Sequence, residues 1–299
     1  MIGRHTASAR RSSRWRTIMR TRSREILAWA LAACLLLALA PATVTAAEGE
    51  GDQAAAADAA PMYRYIVYSR VDPAMADEFE QQQKRWVAAF REAGFGPEWQ
   101  WWVLQGPNFE YVTVWAFHKW AEFDDEAKWN EEMLERLGKD RLGELMKPAG
   151  LVLSQKTAIV RYLPEMSMPG GDGSMPGFLN VETHYLRSGM EKPFRELAAK
   201  VREAYAKAEK KLPFQAWQVK VGEGTFVFTT AASSAAEFHG MPQAGEVLMA
   251  AFGEETTKKL YEEWRDCISG YETVDYQPRP DLSYVIEPEG GKAADKKSE

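Results

Sequence analysis

The stretch 99-WQWWVLQGPNFEYVTVWAF-117 contains two short aromatic and apolar runs on either side of Gly106-Pro107-Asn108. Trp, Tyr, Phe, Val and Thr favour β-strands, and a Gly-Pro-Asn group favours a tight turn. The stretch is therefore predicted to form a β-hairpin. A second hairpin is predicted for 215-QAWQVKVGEGTFVFTT-230, where Gly222-Glu223-Gly224 supplies the turn. One structural unit is thus expected to occur twice.

Landmarks outside the hairpins extend this repeat in both directions. Phe79 and Phe194 are separated by 115 residues, and the hairpin residues Trp101 and Trp217 by 116. In both copies the spacing of apolar residues predicts strand, helix, hairpin, helix and strand in that order. Each copy is therefore predicted to be a ferredoxin-like βαββαβ unit, which places the protein in the α+β class.

The repeat divides the chain of 299 residues into six predicted segments. Ala, Gly and charged residues dominate the stretches before the first copy and after the second, a composition typical of disorder. The segments are a signal peptide, a disordered stretch, the first copy, a Gly- and Pro-rich linker, the second copy and a disordered tail: 1–46, 47–61, 62–165, 166–177, 178–285 and 286–299.

The N-terminus has the pattern of an export signal. An Arg-rich stretch precedes the apolar run Ile26 to Ala40, and small residues up to Ala46 follow it. The apolar run is shorter than the roughly 20 residues that a spanning helix needs. We therefore expect a cleaved leader and a periplasmic or secreted protein with no membrane contact afterwards. The alternatives are an uncleaved anchor and a lipoprotein modified at Cys34, and Met19 is an alternative start.

Composition argues against several classes of function. The net charge is -6, and the basic residues outside the leader are interleaved with acidic ones, so nucleic acid is not an expected partner. Cys267 is the one cysteine after the leader, and its position in a predicted helix favours a buried, inert thiol. The four histidines show no HxH or HxxxH spacing, so no metal site is predicted.

The predicted sheets need cover on both faces. Alternation along the first hairpin puts Trp99, Trp101, Tyr111 and Trp115 on one face, and Val112, Val114 and Ala116 on the face expected to pack on helices. A solvated sheet face would not carry so many aromatic side chains. The two open faces are therefore predicted to pack on each other, which would make the protein a pseudo-dimer within one chain. Higher oligomers remain open.

Two motifs add a resemblance to a known family. Trp120-Ala121-Glu122-Phe123 follows the third strand, and Tyr185-Leu186-Arg187-Ser188-Gly189-Met190 joins a strand to a helix. With the duplicated order of elements, they resemble the dimeric α/β-barrel superfamily, which includes antibiotic-biosynthesis monooxygenases and NIPSNAP-like proteins. The resemblance covers nearly the whole mature chain and implies a pseudo-dimeric α/β barrel. It implies activities from cofactor-independent monooxygenases to haem enzymes. The Asn of the monooxygenase Asn and Trp pair has no clear match, because Asn108 falls in the hairpin turn.

Glu182 and His184 form the sharpest local feature of the sequence. They are two residues apart on a predicted strand, so they point to the same face as Asn180. The first copy has other residues at the matching positions, namely Tyr65, Val67 and Ser69. Because burial of an ionisable pair is costly unless the pair is useful, Glu182 and His184 are predicted to be an acid–base site. The alternative is a solvated rim in which Glu182 bonds His184.

Three functions follow as hypotheses. The first is a protein without a cofactor that binds a small apolar or aromatic molecule between its sheets. The ligand-binding residues would be Trp99, Trp101, Tyr111, Trp115, Asn180 and Trp217. The second is a cofactor-independent monooxygenase or related oxidoreductase that uses Glu182 and His184, and the third is a structural protein with a dry core. Haem binding with His239 as the iron ligand is a further alternative, whereas His118 is expected in a solvated loop.

Overall fold

The computed structural model describes residues 62–147, 151–168, 170, 175–209 and 213–286. The predicted export signal, the stretch 47–61, parts of the linker and nearly all of the tail lie outside these residues. Within the described ranges, no helix combines the length and the apolar character that a membrane span requires.

The described chain divides into two halves. The first contains β1 (Tyr63–Val71), α1 (Ala76–Glu92), β2 (Trp101–Gln105), β3 (Glu110–Phe117), α2 (Glu126–Leu137), α3 (Lys139–Leu145) and β4 (Val152–Tyr162). The second contains β5 (Phe178–Leu186), α4 (Glu191–Lys207), β6 (Phe214–Val221), β7 (Phe226–Ala232), α5 (Ala235–Gly240), α6 (Ala244–Phe252), α7 (Glu254–Cys267) and β8 (Ile268–Pro278). Glycines with positive φ, Gly138 and Gly253, separate the helices that precede the last strand of each half.

All eight strands form one closed antiparallel barrel in the order β1-β3-β2-β8-β5-β7-β6-β4. The first half contributes β4-β1-β3-β2 and the second half β8-β5-β7-β6. Two seams join the halves, one between β2 and β8 and one between β4 and β6. The sheets therefore meet edge to edge, which corrects the expected face-to-face packing. Closure pairs backbone groups that the edges of two separate sheets would leave open.

Aliphatic side chains dominate the barrel interior. Two clusters of buried residues there are built around Leu104, Val112, Tyr276, Val160, Trp217 and Val227. On the outer face of the first half, Trp101 and Tyr111 pack with Phe79 and Phe90 of α1. The sequence prediction had these faces reversed, since Val112 and Val114 face the interior. The interior of an eight-stranded barrel is just wide enough for side chains to fill, whereas the layer under the helices accommodates large rings.

A short segment after the last strand of each half crosses onto the other half. We call residues 163–168 and 279–286 the straps. Met168 exchanges two backbone hydrogen bonds with Phe214, and Tyr284 does the same with Trp101. The straps contain buried residues, namely Leu163, Met166, Ser167, Leu282, Ser283 and Tyr284. The sequence had placed Ser167 in the linker. Each strap thus completes the core of the opposite half.

The straps also correct the alignment of the two hairpins. Because Trp101 and Phe214 hold equivalent strap contacts, they occupy matching positions, separated by 113 residues and not 116. Trp217 instead matches Leu104, which lies in the interior. An odd shift of register moves a side chain to the other face of a sheet. Trp101 therefore lies under the helices while Trp217 points into the barrel.

Candidate functional site

Six polar residues form a patch on the outer face of β5 and β8. Asn180, Glu182 and His184 on β5 stand directly opposite Asp275, Thr273 and Tyr271 on β8. We call these six residues the β5–β8 patch. The matching positions of β1 and β4 hold Tyr65, Val67, Ser69, Ile159, Thr157 and Gln155, with no carboxylate and no imidazole. The two halves share one scaffold but differ sharply in chemistry at this place.

His184 is enclosed by aromatic rings under α4 and α7. Its ring centre lies 5.1 Å from that of Tyr271, 5.2 Å from that of Phe194 and 6.1 Å from that of Trp264. The Trp264 Nε1–H donates to His184 Nδ1 at 3.4 Å, and His184 Nε2 lies 3.7 Å from Glu182 Oε2. In the neutral imidazole, Nδ1 is then the acceptor and the Nε2–H points toward the Glu182 carboxylate.

Glu182 is the member of this pair that reaches solvent. Its side chain is 39% exposed, whereas that of His184 is 7% exposed. Burial and the Glu182 charge raise the pKa of the neighbouring Tyr271 hydroxyl. Burial and then the same charge raise the pKa of Tyr205 on α4 to about 12. Glu182 is therefore placed to accept a proton from a ligand, and His184 is placed to orient and stabilise its carboxylate.

The other end of the patch is rich in hydrogen-bond acceptors. Asn180 Nδ2 donates to Thr273 Oγ1 at 3.0 Å and to Asp275 Oδ1 at 2.7 Å. Asn180 Oδ1 is buried and has no hydrogen-bond partner within the described part of the chain. His239 Nε2 of α5 lies 3.5 Å from Asp275 Oδ2. Among the described residues, Asn180 Oδ1 is thus an acceptor left without a hydrogen bond, whereas both Asp275 carboxylate oxygens face donors.

The aromatic residues predicted to bind a ligand lie elsewhere, which corrects the predicted wall between the sheets. Trp99, Trp101, Tyr111 and Trp115 belong to the layer under the helices of the first half, and Trp217 lies inside the barrel. None of the five is among the rings that surround His184. Of the predicted site residues, the structure brings together Asn180, Glu182 and His184.

Tyr271, Thr273, Asp275 and Trp264 were missed as site residues from the sequence. A signal for three of them is visible in the last predicted strand, where Tyr271, Thr273 and Asp275 alternate in the same way as Asn180, Glu182 and His184. The cross-strand register that joins the two rows is set by strand pairing and is invisible in either strand alone.

Comparison with known proteins identifies similar folds. No family model matches the chain, and no curated protein matches it. One similar structure is a proposed monooxygenase from Lactobacillus acidophilus, 8% identical, covering 76% of this chain and 97% of that one, with a TM-score of 0.45. An anthrone oxidase-like protein is 13% identical, covering 75% and 93%, with a TM-score of 0.45. A mutant chlorite dismutase from Candidatus Nitrospira defluvii in complex with cyanide is 12% identical, covering 75% and 92%, with a TM-score of 0.47.

The prediction of a chain without a cofactor is corrected: the similar structures include chlorite dismutases, one of them in complex with cyanide. His184 as placed here does not fit a haem. His184 is closed in by rings, and the exposed His239 sits beside Asp275. Among the described residues, no three His, Cys, Asp or Glu side chains are grouped to hold a metal ion.

Proposed function

We propose that the protein is an oxidoreductase of the monooxygenase type, and that the β5–β8 patch binds a small aromatic substrate bearing hydroxyl groups. The observation that carries this proposal is the difference between the two halves. At six matching positions of one scaffold, the second half alone carries carboxylates and an imidazole. A buried imidazole costs free energy under a helical layer, so the presence of His184 beside the Glu182 carboxylate in one half argues for a use there.

The chemistry of the patch defines the substrate class. The partly exposed carboxylates of Glu182 and Asp275 offer acceptors for hydroxyl donors, and Phe228 and Tyr271 offer ring surfaces for an aromatic plane. Glu182 would take a proton from a substrate hydroxyl, which leaves an electron-rich arenolate. Molecular oxygen then oxidises a ring CH₂ group to a carbonyl, with one oxygen atom entering the product and the other leaving as water. The substrate supplies the electrons.

The test is oxygen consumption with 1,8-dihydroxyanthrone, whose CH₂ group lies between two hydroxylated rings. Replacing Glu182 by Gln should lower kcat/KM by about 10²- to 10⁴-fold, the usual contribution of a general base. Glu272→Gln is the matched control, because Glu272 neighbours Thr273 on β8 but accepts a hydrogen bond from Tyr185. Equal rates in the wild type and in Glu182→Gln, or no turnover by the wild type, would contradict the proposal.

Two further features belong with this proposal. The equal strand orders and the matching straps support two diverged copies of a ferredoxin-like βαββαβ unit. The Arg-rich and apolar N-terminus supports export, with cleavage after Ala46. Mass spectrometry of the intact protein recovered from a periplasmic or culture fraction tests whether the leader is removed after Ala46. A mass that retains the apolar run would contradict cleavage.

A further inference from the structure

Arg64 lies inside the barrel between two indole rings. Its guanidinium carbon is 5.7 Å from the ring centre of Trp102 and 5.2 Å from that of Trp217. Alternation along β1 puts Arg64 on the same face as Ile66, which packs in the interior clusters. Arg64 is therefore a charged side chain beside interior clusters that consist of apolar residues.

The charge of Arg64 has no counter-charge in the described part of the chain. The acceptor found there for its N–H groups is the Tyr63 carbonyl, at a long 3.5 Å from Nη1, and none of the described ion pairs includes Arg64. Burial lowers the pKa of its guanidinium to about 10. Stacking on two indole faces offsets part of the desolvation cost, at about 0.5–2 kcal/mol for each ring. An indole ring attracts the cation but takes no conventional hydrogen bond from it, so the guanidinium N–H groups keep donor capacity for a ligand.

Trp217, one of the two rings beside Arg64, is held in place. Trp217 Nε1–H donates to Thr229 Oγ1 at 3.2 Å, and the Tyr162 ring centre lies 5.2 Å from that of Trp217. Trp217 is buried, whereas Arg64 and Trp102 keep partial exposure to solvent. Trp217 is thus fixed in position on one side of Arg64, and a ligand can reach Arg64 from the side of Trp102.

We propose that Arg64, Trp102 and Trp217 bind the carboxylate of a small aromatic acid at the end of the barrel where β1 begins and where Arg64 and Trp102 reach solvent. A carboxylate carries one charge and pairs with a single guanidinium through two parallel hydrogen bonds in the guanidinium plane. The aromatic ring of the ligand would lie against the accessible Trp102. This site faces the opposite side of the sheet from the β5–β8 patch, so it is independent of the function proposed for that patch.

The experiment compares benzoate with benzamide, a neutral molecule of nearly the same shape. Each is titrated into the purified full-length protein, with tryptophan fluorescence and calorimetry as readouts. We expect benzoate to bind about 10- to 100-fold more tightly than benzamide, the range of a charge-assisted hydrogen-bonded pair. Arg64→Met should abolish this preference. Arg161→Met is the matched control, because Arg161 lies on the neighbouring strand between the interior residues Val160 and Tyr162 and so points outward.

Two results would overturn the proposal. One is equal binding, or no binding, of benzoate and benzamide by the wild type, a measurement that requires no variant to fold. The other is an unchanged preference in a folded Arg64→Met protein. Loss of the preference in Arg161→Met as well would place the anion outside the barrel and would also refute the assignment.

Discussion

Removal of the two strap serines should destabilise the protein by similar amounts. Ser283 Oγ donates to the Arg279 carbonyl at 2.7 Å and accepts from the Val103 N–H at 2.9 Å. The side chain is buried; the bond from Val103 joins the strap to β2, and the bond to Arg279 lies within the strap. Replacing Ser283 by Ala removes both bonds and leaves one backbone N–H and one carbonyl without this partner.

Ser167 makes the same pair of hydrogen bonds in the other strap. Its Oγ donates to the Leu163 carbonyl at 2.7 Å and accepts from the Ala216 N–H at 2.8 Å. A buried polar group left unpaired costs about 1–3 kcal/mol. We therefore expect each Ser→Ala change to lower the free energy of unfolding by about 2 kcal/mol. The double variant should lose about 4 kcal/mol, because independent sites add.

Urea unfolding followed by circular dichroism and by tryptophan fluorescence measures these values. Ser269→Ala is the control, since its exposed hydroxyl donates to the Tyr185 carbonyl at 3.1 Å and its loss should cost less than about 0.5 kcal/mol. If either strap variant unfolds like the control, the two strap serines do not contribute equally to stability. The same conclusion would follow if one variant were destabilised strongly and the other not at all.

Two further predictions concern the strap 279–286. Leu282→Ala should lower the free energy of unfolding in urea by about 2–5 kcal/mol, because Leu282 is fully buried in the core of the first half. Leu153→Ala, at an exposed site, should change the stability little. Equal effects of the two substitutions would contradict this prediction. Arg279 and Lys84 lower the pKa of Asp281 to about 2, so its stabilising effect is present above its unfolded pKa of about 4 and is lost as the pH falls toward 2. Asp281→Asn should therefore be less stable than the wild type at pH 7 and equal to it near pH 2, and a difference that stayed constant with pH would refute the role of this ion pair.

Strand patterns predicted much of the fold, because the alternation of side chains along a strand shows which residues share a face of the sheet. They placed Asn180, Glu182 and His184 on one face, and the structure agrees. They did not show which face lies under the helices, because alternation is the same whichever side is covered. For this reason Trp101 and Val112 were assigned to the wrong faces.

Register was the second quantity that patterns could not supply. Trp101 and Trp217 look alike in sequence, yet hydrogen bonds from the straps show that Trp101 matches Phe214. Those bonds join residues far apart in the chain, and no local preference encodes them. The Arg64 site depends on the same long-range register, because its two rings come from β2 and β6.

The sequence by itself determined the two hairpins, the repeated order of strands and helices, and the polar row of β5, all of which depend on residues close in the chain. Tertiary structure decided that the sheets close into one barrel, that the straps exchange between the halves and that β8 completes the polar patch. These features arise when distant strand edges pair, and a strand edge offers the same backbone groups to any partner.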